Sequence, residues 1–175
     1  MVNSIMQQAK WTDRKFAFEY PDGWMPDILE RLRGTHLRIQ GFIRDVAHEQ
    51  LIRSSNGKWS IQEHIGHLSD LEEIHDGRID DFLQRKKILR AADMSNTKTN
   101  EAHHNERDVK DLLNEFDEKR NHFIQRLESL DAETLSGKAL HPRLQVLMRP
   151  VDLAFFTAEH DDHHLASMRE LKNML

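Results

Sequence analysis

The chain has 175 residues, a formal net charge of −5, 38% hydrophobic and 31% charged residues, and no cysteine. Its length suits one domain with a real core. The acidic balance argues against a nucleic-acid surface, no apolar run approaches the ~18 residues of a membrane span, and the missing thiols exclude disulfides, thiolate zinc sites and a cysteine nucleophile.

Residues 1–23 read as an arm. Phe16, Phe18 and Tyr20 alternate with polar neighbours, which predicts a short extended segment packed on the body, and Pro21-Asp22-Gly23 makes a turn. The start, M-V-N-S-I-M-Q-Q-A-K, has no basic stretch followed by an apolar one, so no leader is read and a cytoplasmic location is expected. Helical periodicity begins near Pro26: Ile28, Leu32, Thr35, Ile39, Phe42 and Val46 form one buried stripe to about Ala47. Arg31, Arg33, Arg38 and Arg44 gather on this helix and read as a solvated face. After a loop at Ser54-Ser55-Asn56-Gly57, Ser60 as N-cap and Glu63 reaching back to it form a capping box. The stripe of this second helix, Ile61, His64, Leu68, Leu71, His75, Ile79 and Phe82, predicts a run to about Leu89. Residues 91–107 are polar and read as a long connection. In the third helix Val109, Leu112, Leu113, Phe116, Phe123, Ile124, Leu127 and Leu130 repeat at helical spacing. Residues 131–149, with Gly137 and His141-Pro142, form another connection, and Pro150 suits the first turn of a fourth helix.

Four long amphipathic helices with no convincing sheet predict an all-α four-helix bundle in a single domain, residues 1–175, with the arm at 1–23. The short link between helices one and two predicts that they are antiparallel neighbours, whereas the other two links are long enough to cross an end of the bundle.

The fourth helix carries A-E-H-D-D-H-H-L, Ala158 to Leu165. Residues four apart lie ~40° apart on a helix, so His160 and His164 share a face, in line with Leu153 and Leu171, and interrupt the buried stripe. Asp162 points nearly opposite, and Asp161 and His163 flank the stripe. In H-I-G-H-L, His64 to Leu68, His67 lies with Leu71 and Ile74 at the stripe's edge and His64 nearer its centre. A buried neutral imidazole costs free energy unless both nitrogens find partners. A metal ion would take one nitrogen from each ring while a carboxylate or carbonyl holds the other N–H. Three such ligands from two helices would leave open positions, as catalytic zinc requires. The plainer alternative is polar packing without an ion. His36, His48, His103, His104 and His122 read as surface histidines.

K-W-S-I-Q-E-H-I-G-H-L-S-D-L-E, Lys58 to Glu72, resembles the first signature of the DinB/YfiT-like superfamily. The late H-x-x-x-H-L at His160 to Leu165, preceded by His141-Pro142, resembles the second. The resemblance spans helix one to the last helix. It implies up-down-down-up connectivity, a homodimer, and a divalent metal, zinc or nickel, held by three histidines that map to His67, His160 and His164. His64 falls outside the family positions and is left as a residue behind the ligands, a substrate-facing group or a polar filler. Family members join a low-molecular-weight thiol to an electrophile, isomerise substrates, or are suspected hydrolases.

Three functions are therefore carried forward. In thiol transfer, the metal would favour the thiolate of a small-molecule cosubstrate. In hydrolysis, it would activate water, and His160-Asp161-x-x-His164 would be a shortened relative of H-E-x-x-H with Asp161 as candidate base. In non-catalytic binding, Asp161, His163, His141 or Asp70 would supply a fourth ligand. Arg78, about three turns beyond His67 on nearly the same side, is a candidate either to bind an anionic substrate group or to form a rim ion pair. Trp59 reads as an aromatic packed at the bundle end. The expected partners are small molecules, not nucleic acid or membrane.

Overall fold

The structure is a computed structural model that describes residues 8–54 and 57–174; the first seven residues of the expected arm, Ser55 and Asn56 of the expected loop, and Leu175 lie outside that range. Four long helices dominate: α1 (Met25–Ile43), α3 (Ile61–Leu83), α5 (Val109–Glu128) and α7 (Pro150–Asn173). Three short helices lie in the connections, α2 (His48–Leu51), α4 (Thr97–Glu101) and α6 (Ala132–Ser136), together with an antiparallel hairpin of β1 (Ala139–His141) and β2 (Val146–Met148).

The helix starts follow their local chemistry. Ser60 Oγ accepts from the Glu63 N–H at 3.0 Å while Glu63 Oε2 accepts from the Ser60 N–H at 2.6 Å, closing the capping box at the head of α3. Pro150 occupies the first turn of α7, where its missing N–H leaves nothing unpaired. α1 ends at Ile43 rather than Ala47. α3 stops at Leu83 rather than Leu89, because the chain turns at Arg85, whose φ of 53° is incompatible with further helix.

Side-chain pairs fix the directions. Thr35 meets Asp161, and Phe42 lies beside Lys172, so α1 and α7 run parallel. Ser69 meets Glu115 and Asp80 meets Arg126, so α3 and α5 also run parallel. Arg33 to Glu128 and His36 to Asp117 set α1 antiparallel to α5, and His67 beside His164 with His75 beside Thr157 sets α3 antiparallel to α7. The connectivity is up-down-down-up. Helices α1 and α3 are antiparallel, but they face each other across the bundle and are not neighbours; the adjacent pairs are α1·α5, α1·α7, α3·α5 and α3·α7. The link through α2 is long enough to cross the bundle end, which is why its length misled the neighbour assignment. Among the described residues, no helix is long and apolar enough to cross a membrane.

The core is split. One apolar cluster gathers Leu32, Ile79, Phe123 and Leu153; a second gathers Ile39, Leu68, Phe116 and Met168. Between them lies a buried polar layer centred on Arg120 of α5. Its guanidinium donates to both oxygens of Glu72 on α3, at 2.7 and 3.0 Å, and to both oxygens of Asp161 on α7, at 2.5 and 3.1 Å. Thr35 of α1 donates to Asp161 Oδ2 at 2.7 Å, so all four long helices meet in one network. Burial alone would push the Arg120 guanidinium down, but the two carboxylates hold it well above its ordinary value.

The arm behaves as its alternation predicts. Phe16 and Phe18 stack 5.5 Å apart and close on Phe156 of α7, and Phe18 enters the core. Arg149 fastens the arm's end by donating to the Tyr20 carbonyl and to Asp22.

Removing Arg120 would leave two buried carboxylates without a counter-charge. Arg120→Met is expected to cost about 3–5 kcal/mol of stability in urea denaturation, and adding Glu72→Met and Asp161→Leu is expected to recover most of it.

Candidate metal centre

The antiparallel pair α3 and α7 presents three histidines to one point. His67, His160 and His164 are all buried, and each offers a ring nitrogen such that the three atoms lie within 4.8 Å of one another. Among the described residues, this is the one group of three or more such donors close enough to share an ion.

The tautomers follow from the partners. Thr99 Oγ1 gives its single proton to Asp70 Oδ2 at 2.8 Å and must therefore accept from His67 Nδ1 at 3.0 Å. That leaves His67 Nε2 unprotonated. Asp70 is held in turn by His104 Nε2 at 2.9 Å. His164 Nδ1 meets His64 Nδ1 at 2.8 Å, and its Nε2 faces His160 Nε2 at 3.1 Å. His160 Nδ1 is buried without a hydrogen-bond partner among the described residues.

Burial holds His67 down to about 4 and pushes His160 and His164 well below the ordinary imidazole value, with neighbouring histidines acting in the same direction. All three are neutral at pH 7, the state a metal requires. Two nitrogens on a tetrahedral ion with bonds of ~2.0–2.1 Å lie about 3.3 Å apart. The 3.1 Å between His160 and His164 fits that separation, and the donor set fits a borderline divalent cation.

The cluster opens into a cavity of about 540 Å³, lined near the histidines by Trp59 and Trp11. Trp59 packs 4.5 Å from His67, so it is a wall of the site and not only a bundle-end filler. Trp11 of the arm meets His160 edge-on at 4.9 Å. Gln8 donates to His163 Nδ1 at 2.9 Å and to the His163 carbonyl at 2.8 Å, holding that ring on the arm side of α7.

The other candidates are placed differently. Asp161 is not at the cluster: it lies ~100° around the helix from His160, and both its oxygens are bound by Arg120. It is therefore tied into the core and is not among the donors that converge. Asp70 and His141 are likewise engaged elsewhere, by Thr99 and His104 in one case and by the Leu144 N–H in the other. Arg78 does reach the cavity. His64 stands behind His164, outside the trio.

His104 is 2% exposed, contrary to the surface reading. It fits because Gly66 has no side chain: a Cβ there would fall 2.3 Å from the His104 ring. The glycine of H-I-G-H-L was the signal available for this contact. Nothing comparable announced Thr99, on a five-residue helix in a polar stretch, or Trp11.

A family model described as the DinB superfamily matches residues 31–168. No curated protein matches the chain. Among solved structures, the chain is similar to YfiT from Bacillus subtilis, described as a probable metal-dependent hydrolase with an unusual four-helix bundle topology. The two share 16% identity over 92% of this chain and 93% of that one, with a TM-score of 0.78.

The full chain is expected to take up zinc or nickel stoichiometrically, and His67→Ala, His160→Ala and His164→Ala are each expected to reduce metal content to background. Thr99→Val, which frees the His67 ring, is expected to weaken affinity by about 10–100-fold without unfolding the protein. Elemental analysis and calorimetric titration check both.

Proposed function

This chain belongs to the DinB superfamily, and from that premise we propose that it is a divalent-metal-dependent enzyme that transfers a low-molecular-weight thiol to a small electrophile. The observation that carries the reading is three neutral histidines facing a cavity of about 540 Å³, with no carboxylate oxygen joining the trio among the described residues. Such a volume is ample for two small reactants. A divalent ion held by His67, His160 and His164 would act as a Lewis acid, lowering the pKa of a thiol or of water.

The remaining roles belong to the chain. Thr99 and Asp70 orient His67 through its Nδ1–H. With His164 Nε2 turned to an ion, its Nδ1 would donate to His64 Nδ1, which would fix that ring. Trp59 and Trp11 exclude water from the two sides and offer flat apolar surfaces to an organic cosubstrate. In the transfer a sulfur–carbon bond forms, the bond to the leaving group breaks, and that group departs with the thiol's proton. An activated thiol needs no strong base, which suits a site whose flanking aspartate is turned into the core.

Hydrolysis is the second reading, supported by the likeness to YfiT. It asks for a group to take a proton from water, and the acid expected for that, Asp161, is bound to Arg120. A closed, purely structural metal site is disfavoured because Asp161, Asp70, His141 and His163 all point their donors elsewhere.

The metal-loaded protein is expected to consume bacillithiol, mycothiol or glutathione in the presence of a model electrophile such as monochlorobimane, with His160→Ala abolishing turnover. Ester or amide cleavage without thiol, also lost in His160→Ala, would instead establish the second reading.

A further inference from the structure

The cavity has a second pole. Along α3, His67, Leu71, His75 and Arg78 recur at spacings of four, four and three, which puts them on one face. At 1.5 Å per residue, Arg78 sits ~16 Å along the helix axis from His67, and both line the same cavity. Arg78 is 2% exposed, yet among the described residues it forms no ion pair; its one hydrogen bond is from Nε to the Arg90 carbonyl at 3.2 Å. Asp81, whose field reaches it, is held by Lys86 and Arg90.

Arg143, on the turn of the β-hairpin, faces the same space. Its guanidinium lies 5.9 Å over the Phe156 ring, and its Nη2 is buried without a partner among the described residues. His141 is the third member. Its Nδ1 accepts from the Leu144 N–H at 3.2 Å, so the proton of the neutral ring is on Nε2, which is buried without an acceptor. The two arginines depress each other's neighbours: burial and then the two positive charges push His141 down to about 3, and burial pushes Arg78 down to about 10. Donors from α3 and the hairpin thus converge on the cavity, and among the described residues no carboxylate receives them. A buried cation with no counter-charge is costly, and the one carboxylate lining the cavity among the described residues, Asp93, instead accepts from the Ser95 and Thr97 N–H groups.

Resting on the enzymatic reading above, the geometry points to an anion pole, built by Arg78, Arg143 and His141, that binds the carboxylate of a small organic acid whose apolar body extends toward the three histidines. Two planar guanidinium groups and one N–H match the in-plane lone pairs of a carboxylate. Leu71, Ile74 and Phe156 line the way between the poles, which suits a hydrocarbon or aromatic body and not a free phosphate. The substrate would be anchored at one end and react at the other, so its length and charge would both select it.

The test uses the full-length protein, as purified and after chelation, titrated by calorimetry with 4-phenylbutyrate and with its uncharged amide. The acid is expected to bind both forms more tightly than the amide. Arg78→Met and Arg143→Met are each expected to weaken the acid roughly tenfold or more while leaving the amide unchanged. Arg143 lies on a half-exposed turn, so its variant keeps the test valid if Arg78→Met fails to fold. Equal binding of acid and amide, or acid binding that chelation abolishes, would overturn the assignment, the latter by placing the carboxylate at the histidines. Inorganic phosphate competing as well as the acid would overturn the organic-acid class. Metal content is measured in parallel: acid binding retained by a chain that takes up no metal supports the pole while removing the reading on which it rests.

Discussion

The position of the site depends on one buried ion network. Arg120 grips Glu72 of α3 and Asp161 of α7 at once, and Thr35 of α1 closes the ring. Asp161 is the residue next to His160, and Glu72 lies just over one turn beyond His67. A slip of α7 by one residue would therefore break the polar layer and scatter the histidines together. Apolar packing alone tolerates many registers when the facing residues are of similar size; a bidentate carboxylate–guanidinium pair between two apolar clusters does not. Replacing such a network with hydrocarbon often leaves stability unchanged or higher, so its contribution here is to alignment: it sets α3 and α7 at the level where three imidazoles can share a centre.

The same physics explains why this end of the bundle is rich in threonine, tryptophan and histidine. Every imidazole in the trio has to be buried, neutral and correctly oriented, and each is held by a different device: a threonine–aspartate relay for His67, a second imidazole for His164, and an indole edge for His160. The neutral state comes from burial and not from any single neighbour. At the arginine end of the cavity, Arg143 Nη2 and His141 Nε2 have no acceptor among the described residues.

Much of this was legible in the sequence because it obeys helical spacing. The four long helices, the capping box at Ser60 and Glu63, the proline start of α7, and the inward turn of His160 and His164 all follow from periodicities of three and four. The up-down-down-up order came from the resemblance, and the first two long helices, antiparallel as expected, were misjudged as neighbours because the link through α2 is long enough to span the bundle end. The rest is non-local. Arg120 stands among the many charged residues of α5 with no spacing to single it out, and only the folded core shows its two carboxylate partners. Asp161 appeared beside the ligands in the chain but is turned away from them in space. Thr99, His104 and Arg143 sit in connections without a period, where sequence spacing carries no information about facing.

The three histidines are spread far along the chain: His67 is separated from His160 by about ninety residues, and the intervening stretch holds two connections and the whole of α5. A nascent or partly folded polypeptide therefore exposes one member of the trio long before it has the other two, and closing so long a loop is entropically the slowest kind of contact to make. A cation that needs all three imidazoles could be held only once the last long helix has docked. Any loading of the trio would thereby be coupled to completion of the tertiary structure, and metal content would report on folding quality as much as on metal supply.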